Sequence, residues 1–233
     1  DNDDIVEYLR EKRAAAAAAQ PTAAQPGNFA PSDAQLAGRI AYCGQFGAHI
    51  KSRTPGGEEY KCAAVVIDST HIATYQHCEH EAMVVGTDVE VFVNDPVGAQ
   101  RRSVQCQVKL AQPGIDVVVL QLKDPSKPLE PPVIDAQVYP GQRYIVLGQS
   151  SQAHADETSV SHGQVAATEL DALQHISGDT MTGVGDSGGA VFATETSKLF
   201  AMCVGTEPTT HKSKLVPMAV IRALLAAQEQ QVV

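Results

Sequence analysis

Gly185-Asp186-Ser187-Gly188-Gly189 is the segment of this chain best suited to chemistry. A serine hydroxyl is a poor nucleophile until a base takes its proton and donors receive the charge that develops on the attacked carbonyl. Glycines on either side of Ser187 let the backbone turn so that the amides of Gly185 and Ser187 converge on one point, an oxyanion hole. Gly, Asp and Ser are also ordinary turn formers, so the same letters fit a structural hairpin. Two further segments hold the partners such a serine needs. His77 closes the run Ala73-Thr74-Tyr75-Gln76-His77-Cys78, where a neutral imidazole can accept the serine proton and later return it to a leaving amine. Asp116 opens Ile115-Asp116-Val117-Val118-Val119-Leu120, where a carboxylate can fix the imidazole tautomer and stabilise its charged form. Singly, each has a plainer reading, as a surface or satisfied core histidine and as a turn aspartate before a β run. In the order His77, Asp116, Ser187, the catalytic reading prevails.

The surroundings of His77 add a second pattern. Cys62 precedes it by 15 positions and Cys78 follows at once, in CAAVVIDSTHIATYQHC. With that spacing and the Gly-Asp-Ser-Gly-Gly segment, the chain resembles the trypsin/chymotrypsin family of serine proteases. That family has a cysteine, a short hairpin and then Ala-Ala-His-Cys, where this chain has Tyr75-Gln76 before His77. The resemblance implies a Cys62–Cys78 disulfide that pins the base. It implies an all-β fold of two six-stranded Greek-key β-barrels with a C-terminal helix, and a serine endopeptidase acting through an acyl-enzyme. It implies no cofactor, no metal, and a protein or peptide substrate as partner. KLFAMCVGTEP resembles the strand lining the substrate cleft, and the family places the pocket floor six residues before the nucleophile, which together make Met181, Thr182, Val204, Gly205 and Thr206 the expected pocket.

The chain also departs from the family. Met181 stands where trypsin-like members place the aspartate at the pocket floor. A pocket without that carboxylate has nothing to pair with Lys or Arg, so a non-basic, neutral P1 residue is expected. Gly183 replaces the cysteine whose disulfide braces the pocket, and Cys43, Cys106 and Cys203 match none of the common bridges. Gly38-Arg39-Ile40-Ala41 faintly resembles a zymogen cut site, whose new amine would pair with Asp186; otherwise Asp186 needs other donors. These departures leave open a catalytically silent protease-fold scaffold, or an enzyme held off by its N-terminal extension. A zinc set of His71, His77, Cys78 and His80 is disfavoured because adjacent strand residues point to opposite faces.

The elements that must position these residues are mainly strands. YKCAAVVID, HIATYQHC, DVEVFVND, SVQCQVKL and DVVVLQLK follow one another, then RYIVLGQ, SVSHGQVAAT, GGAVFAT and KLFAMCVG. A proline-rich connection, LEPPVIDAQVYPGQ, separates the two series. Val216, Val220, Leu224 and Leu225 recur at helical intervals near the end. The expected division is residues 1–34 as an N-terminal helical extension and Ala/Pro-rich linker, 35–130 as a first barrel with His77 and Asp116, and 131–233 as a second with Ser187. Ile5, Leu9 and Ala14 to Ala19 suit a helix, which Pro21, Pro26 and Pro31 end. That helix either stays solvated or docks on its own domain or a partner.

A formal net charge of −10 gives no general affinity for nucleic acid or anionic membrane. No apolar run approaches the ~18 residues of a transmembrane helix. The family favours secretion, yet the count of 5 cysteines is odd and no Asn-x-Ser/Thr site occurs, which argue against a disulfide-laced extracellular protein.

Overall fold

Alternating apolar and polar residues build the first sheet. Asp88–Asn94 (β4) buries Val89, Val91 and Val93 and turns the residues between them outward. Arg101–Gln112 (β5) does the same with Val104, Cys106, Val108 and Leu110, and Val91 lies opposite Val104. Such alternation suits a sheet with one face inside a barrel. With Gly47–Arg53 (β1), Glu59–Val66 (β2), His71–Thr74 (β3) and Val117–Leu122 (β6), these strands close in the order β1-β2-β3-β6-β5-β4. The computed structural model describes residues 31–53, 57, 59–94, 101–150 and 158–231.

A second barrel repeats the plan. Arg143–Gly148 (β7), Ser159–Ala167 (β8), Ile176–Gly178 (β9), Ala190–Ala193 (β10), Leu199–Thr206 (β11) and Ser213–Pro217 (β12) close in the order β7-β8-β9-β12-β11-β10. The strand order is that of the first barrel shifted by one barrel. Between them the proline-rich connection forms no strand, only a bridge from Ile134 to Leu199. Two closed antiparallel six-stranded barrels match the architecture expected from the sequence.

β2 and β6 are buried on both faces, and the reason is a third apolar layer. Ala64, Val66 and Val118 belong to the core of the first barrel, whereas Cys62, Val65, Val117 and Val119 belong to an inter-barrel core. That core takes Ile145, Leu147, Phe192 and Met202 from the second barrel and Ile221 and Leu224 from the terminal helix. Burial at roughly 25 cal/mol per Å² of apolar surface makes this layer the main force holding the barrels in register.

Both helices differ from the sequence expectation in detail. The first barrel was expected to begin at residue 35, but Asp33–Gly44 is a helix (α1). Ser32 caps it: its hydroxyl accepts from the Gln35 amide at 3.4 Å, and the Gln35 side chain accepts from the Ser32 amide at 2.9 Å. Leu36, Ile40 and Cys43 then share the face packed on the inter-barrel core, and the Arg39 guanidinium donates to the Thr194 carbonyl of the second barrel. The terminal helix (α2) is Met218–Gln231, so Val216 belongs to β12 rather than to the helix. The helix expected over Ile5, Leu9 and the alanines lies outside the described residues. No described helix is long and apolar enough to cross a membrane.

Candidate active site

Asp116 sits in the β5–β6 turn at φ 63°, in the left-handed region. An Asp tolerates that region better than most residues, and here the surroundings hold it there. Its own amide donates to the Pro113 carbonyl at 3.3 Å. From the second barrel, buried His175 donates through Nε2 to the Ile115 carbonyl at 2.9 Å. The carboxylate is thereby presented to the end of β3. Oδ1 accepts from the amides of Gln76 and His77 at 2.8 and 2.9 Å, and Oδ2 accepts from His77 Nδ1 at 2.7 Å. Burial pushes the Asp116 carboxyl up, but the His77 and backbone hydrogen bonds outweigh it and hold the group below the usual carboxylate range. With its Nδ1 proton committed to Asp116, the imidazole keeps Nε2 as its acceptor.

The two residues that replace the family's Ala-Ala have structural partners. Gln76 is buried, and its Nε2 donates to the carbonyls of His80 and Met83 at 2.8 and 3.2 Å. It thus ties down the short 3₁₀ helix Cys78–Ala82 that follows the histidine. Tyr75 packs its ring 4.4 Å from that of His77 and donates its hydroxyl to Glu79. Relative to the family this pair is a departure, and nothing in the two residue types marks them as supports.

The Ser187 loop is seated against the first barrel. Gly185 and Gly188 have φ of 97° and 85°. The Gly185 carbonyl accepts from Ala63 of β2 at 3.3 Å and from Gln149 at 3.2 Å. A Cβ on Gly188 would lie 1.9 Å from the Ala63 carbonyl oxygen and 2.7 Å from Thr74 Oγ1, so only glycine permits this approach. Thr74 lies just ahead of His77 in the chain, so this contact places the serine loop beside the strand that leads to the histidine. Among the described residues, the amides of Gly185 and Ser187 donate to no backbone carbonyl. The Ser187 hydroxyl donates to the Val204 carbonyl at 3.4 Å and makes no hydrogen bond to His77.

Asp186 finds donors without any new chain terminus. Its buried carboxylate accepts from the Ser150 amide at 3.0 Å, the Ser159 hydroxyl at 2.9 Å and the Gly183 amide at 2.9 Å. Arg39 and Ile40 lie inside α1.

Two expectations need correction. All five cysteines are free thiols: Cys62 is fully buried with its Sγ on the Glu79 carboxylate at 3.1 Å, whereas Cys78, at φ 53°, is exposed. The thiols therefore face different environments and form no disulfide. Met181, expected at a pocket floor, is 72% exposed, a position for a rim. Nearby, Thr182 and Thr206 join their hydroxyls at 2.7 Å, Val204 is buried, and Gly205 continues the strand. Nor do His71, His77, Cys78 and His80 converge, since His71 Nδ1 is held by Asp68 at 2.9 Å and His77 by Asp116.

Two Greek-key barrels with a site at their junction define the chymotrypsin-like class of fold. Residues 62–202, more than half of the chain, match the trypsin-like peptidase domain, and the chain belongs to that family. Its structure is similar to that of the HtrA-type protease AlgW solved with a tripeptide, with a TM-score of 0.65 and 15% sequence identity. The match covers 82% of this chain and 62% of that one, so the chain spans less than two thirds of the other's length. A comparison with curated proteins finds no match.

Proposed function

We propose that this protein is a serine endopeptidase with His77, Asp116 and Ser187 as its catalytic triad. The observation that carries the reading is the Asp116 carboxylate, which grips the His77 ring through Nδ1 and its backbone through the amide. Such a grip fixes one tautomer and leaves Nε2 as a base. Substrate entry would exchange the Ser187–Val204 hydrogen bond for one to His77 Nε2. Ser187 Oγ then attacks the scissile carbonyl as its proton passes to Nε2, and the amides of Gly185 and Ser187 take the oxyanion. The imidazolium protonates the departing amine, and a water activated in the same way releases the acyl group. Across Met181, Thr182, Val204, Gly205 and Thr206 no carboxylate is present to receive a cation, so neutral P1 side chains are favoured.

The Ser187–Val204 hydrogen bond also favours a second reading, a protease-fold binding protein whose serine stays parked. One experiment separates the two. The purified chain is treated with a fluorophosphonate probe beside Ser187→Ala and His77→Ala. Labelling of the parent alone supports the enzyme, and kcat on a peptide should then fall by on the order of 10⁶-fold in either variant. An unlabelled parent would move the assignment to the binding protein.

A further inference from the structure

Behind the histidine loop lies a cluster that the proposed catalysis does not use. Cys62 Sγ, a Glu79 carboxylate oxygen and a ring nitrogen of His80 all lie within 4.8 Å of one another. Cys62 and His80 are fully buried. His80 Nδ1 lies 3.0 Å from the Tyr75 carbonyl, an acceptor only, so it carries the ring proton and Nε2 carries a lone pair. That Nε2 is buried and has no hydrogen-bond partner among the described residues. A buried acceptor left empty is unusual in a folded protein, and this one belongs to a group of thiol, carboxylate and imidazole.

We propose that Cys62, Glu79 and His80 form a binding site for a divalent cation of the zinc class. A sulfur, an oxygen and a nitrogen donor suit a borderline-soft ion better than calcium or magnesium, which take oxygen. Tetrahedral zinc with ligands at about 2.0–2.3 Å spaces them about 3.3–3.8 Å apart, so donor atoms now within 4.8 Å of one another would draw together on binding. The carbonyl behind His80 supplies the outer hydrogen bond that sets the tautomer of a ligating imidazole. Glu79 is partly exposed and gives a way in from solvent, while the three side chains leave one tetrahedral position for water. Binding would replace the Cys62 thiol proton and its hydrogen bond to Glu79 with metal bonds, releasing that proton to solvent.

The ion's place in the fold gives it a task. Cys62 lies on β2, and Glu79 and His80 lie on the 3₁₀ helix directly after His77. The Tyr75 ring stands 4.2 Å from the His80 ring and 4.4 Å from the His77 ring. A cation here cross-links β2 to the histidine loop and braces that loop without oxidation of any thiol.

The test is a Co²⁺ titration of the full chain, stripped with chelator and kept reduced, followed by absorption spectroscopy. One ion per chain with a thiolate-to-cobalt charge-transfer band is expected, bleached by Zn²⁺, and the unfolding temperature should rise with Zn²⁺. Cys62→Ser and His80→Ala remove ligands and should weaken binding by at least the ~10–100-fold that loss of an outer-shell partner costs, whereas Cys78→Ser should leave it unchanged. Circular dichroism checks that each variant folds, and Glu79→Gln serves if Cys62→Ser does not. Absence of the band in the parent, or its persistence in Cys62→Ser, would overturn the site. The titration is repeated on Ser187→Ala, so the outcome stands apart from whether the chain is a protease.

Discussion

Asp116 carries more of the site than its single side chain suggests. It accepts three hydrogen bonds from Gln76 and His77 while its backbone stays in a left-handed conformation held from both barrels. Asp116→Asn keeps the shape but replaces an acceptor with an amide that can donate toward Nδ1, which favours the tautomer with its proton on Nε2. A drop in kcat of about 10⁴-fold is therefore expected, with circular dichroism unchanged. Steady-state kinetics on a neutral-P1 peptide measures it, and near-parent turnover would remove Asp116 from the proposed triad. The carboxylate's acceptor role is what matters, because Asp116 stays ionised well below neutral pH.

At the level of elements, the serine loop depends on how closely one barrel's backbone approaches the other. Gly188 packs against the Ala63 carbonyl and Thr74 at the join of β2 and β3, and its own amide donates to Cys203 at 2.7 Å. Gly188→Ala forces that contact apart at a positive φ. The expected cost is at least about 2 kcal/mol, seen as a fall of roughly 4–8 °C in unfolding temperature for a chain of this size. Fluorophosphonate labelling of Ser187 should be lost with it. An unchanged melting temperature would mean that the two loops are not in contact. The short 3₁₀ helix works on the same principle, since Gln76 holds it from beneath by two hydrogen bonds.

For the whole molecule, one inter-barrel core and a few polar ties set the response to pH. Asp68 is pushed up by partial burial, but hydrogen bonds from His71 and Thr70 bring it down to about 2, and Asp116 is likewise depressed. Unfolded, both would titrate near about 3.9. The native state thus holds fewer protons at these groups, and the stability they add is present above that range and lost as pH falls through the folded values. The unfolding temperature should stay level in this respect from neutral pH to about 5 and fall below about 4. A midpoint that rose on acidification would contradict the assignment.

The sequence by itself determined the strands whose patterns are strong, such as β4 and β5, the proline-rich connection between the barrels, and the terminal helix apart from its first turn. It also brought forward His77, Asp116 and Ser187 as candidates through residue type and local context; the structure joins His77 to Asp116 and holds the Ser187 hydroxyl on Val204. Tertiary structure alone decided the rest. β1, β9 and β12 are short or mixed in character, and they are strands because barrel closure supplies their hydrogen-bond partners. The same strand order recurs in both barrels with no visible repeat, since closure constrains pairing and leaves side chains free to differ. α1 hides behind a capping box that acts only once its apolar face finds the inter-barrel core. The spacing of Cys62 and Cys78 matched a family disulfide, yet Cys62 turns inward to Glu79 and Cys78 outward to solvent. Spacing along a chain limits how far apart two side chains can lie, and only packing decides which way each one faces.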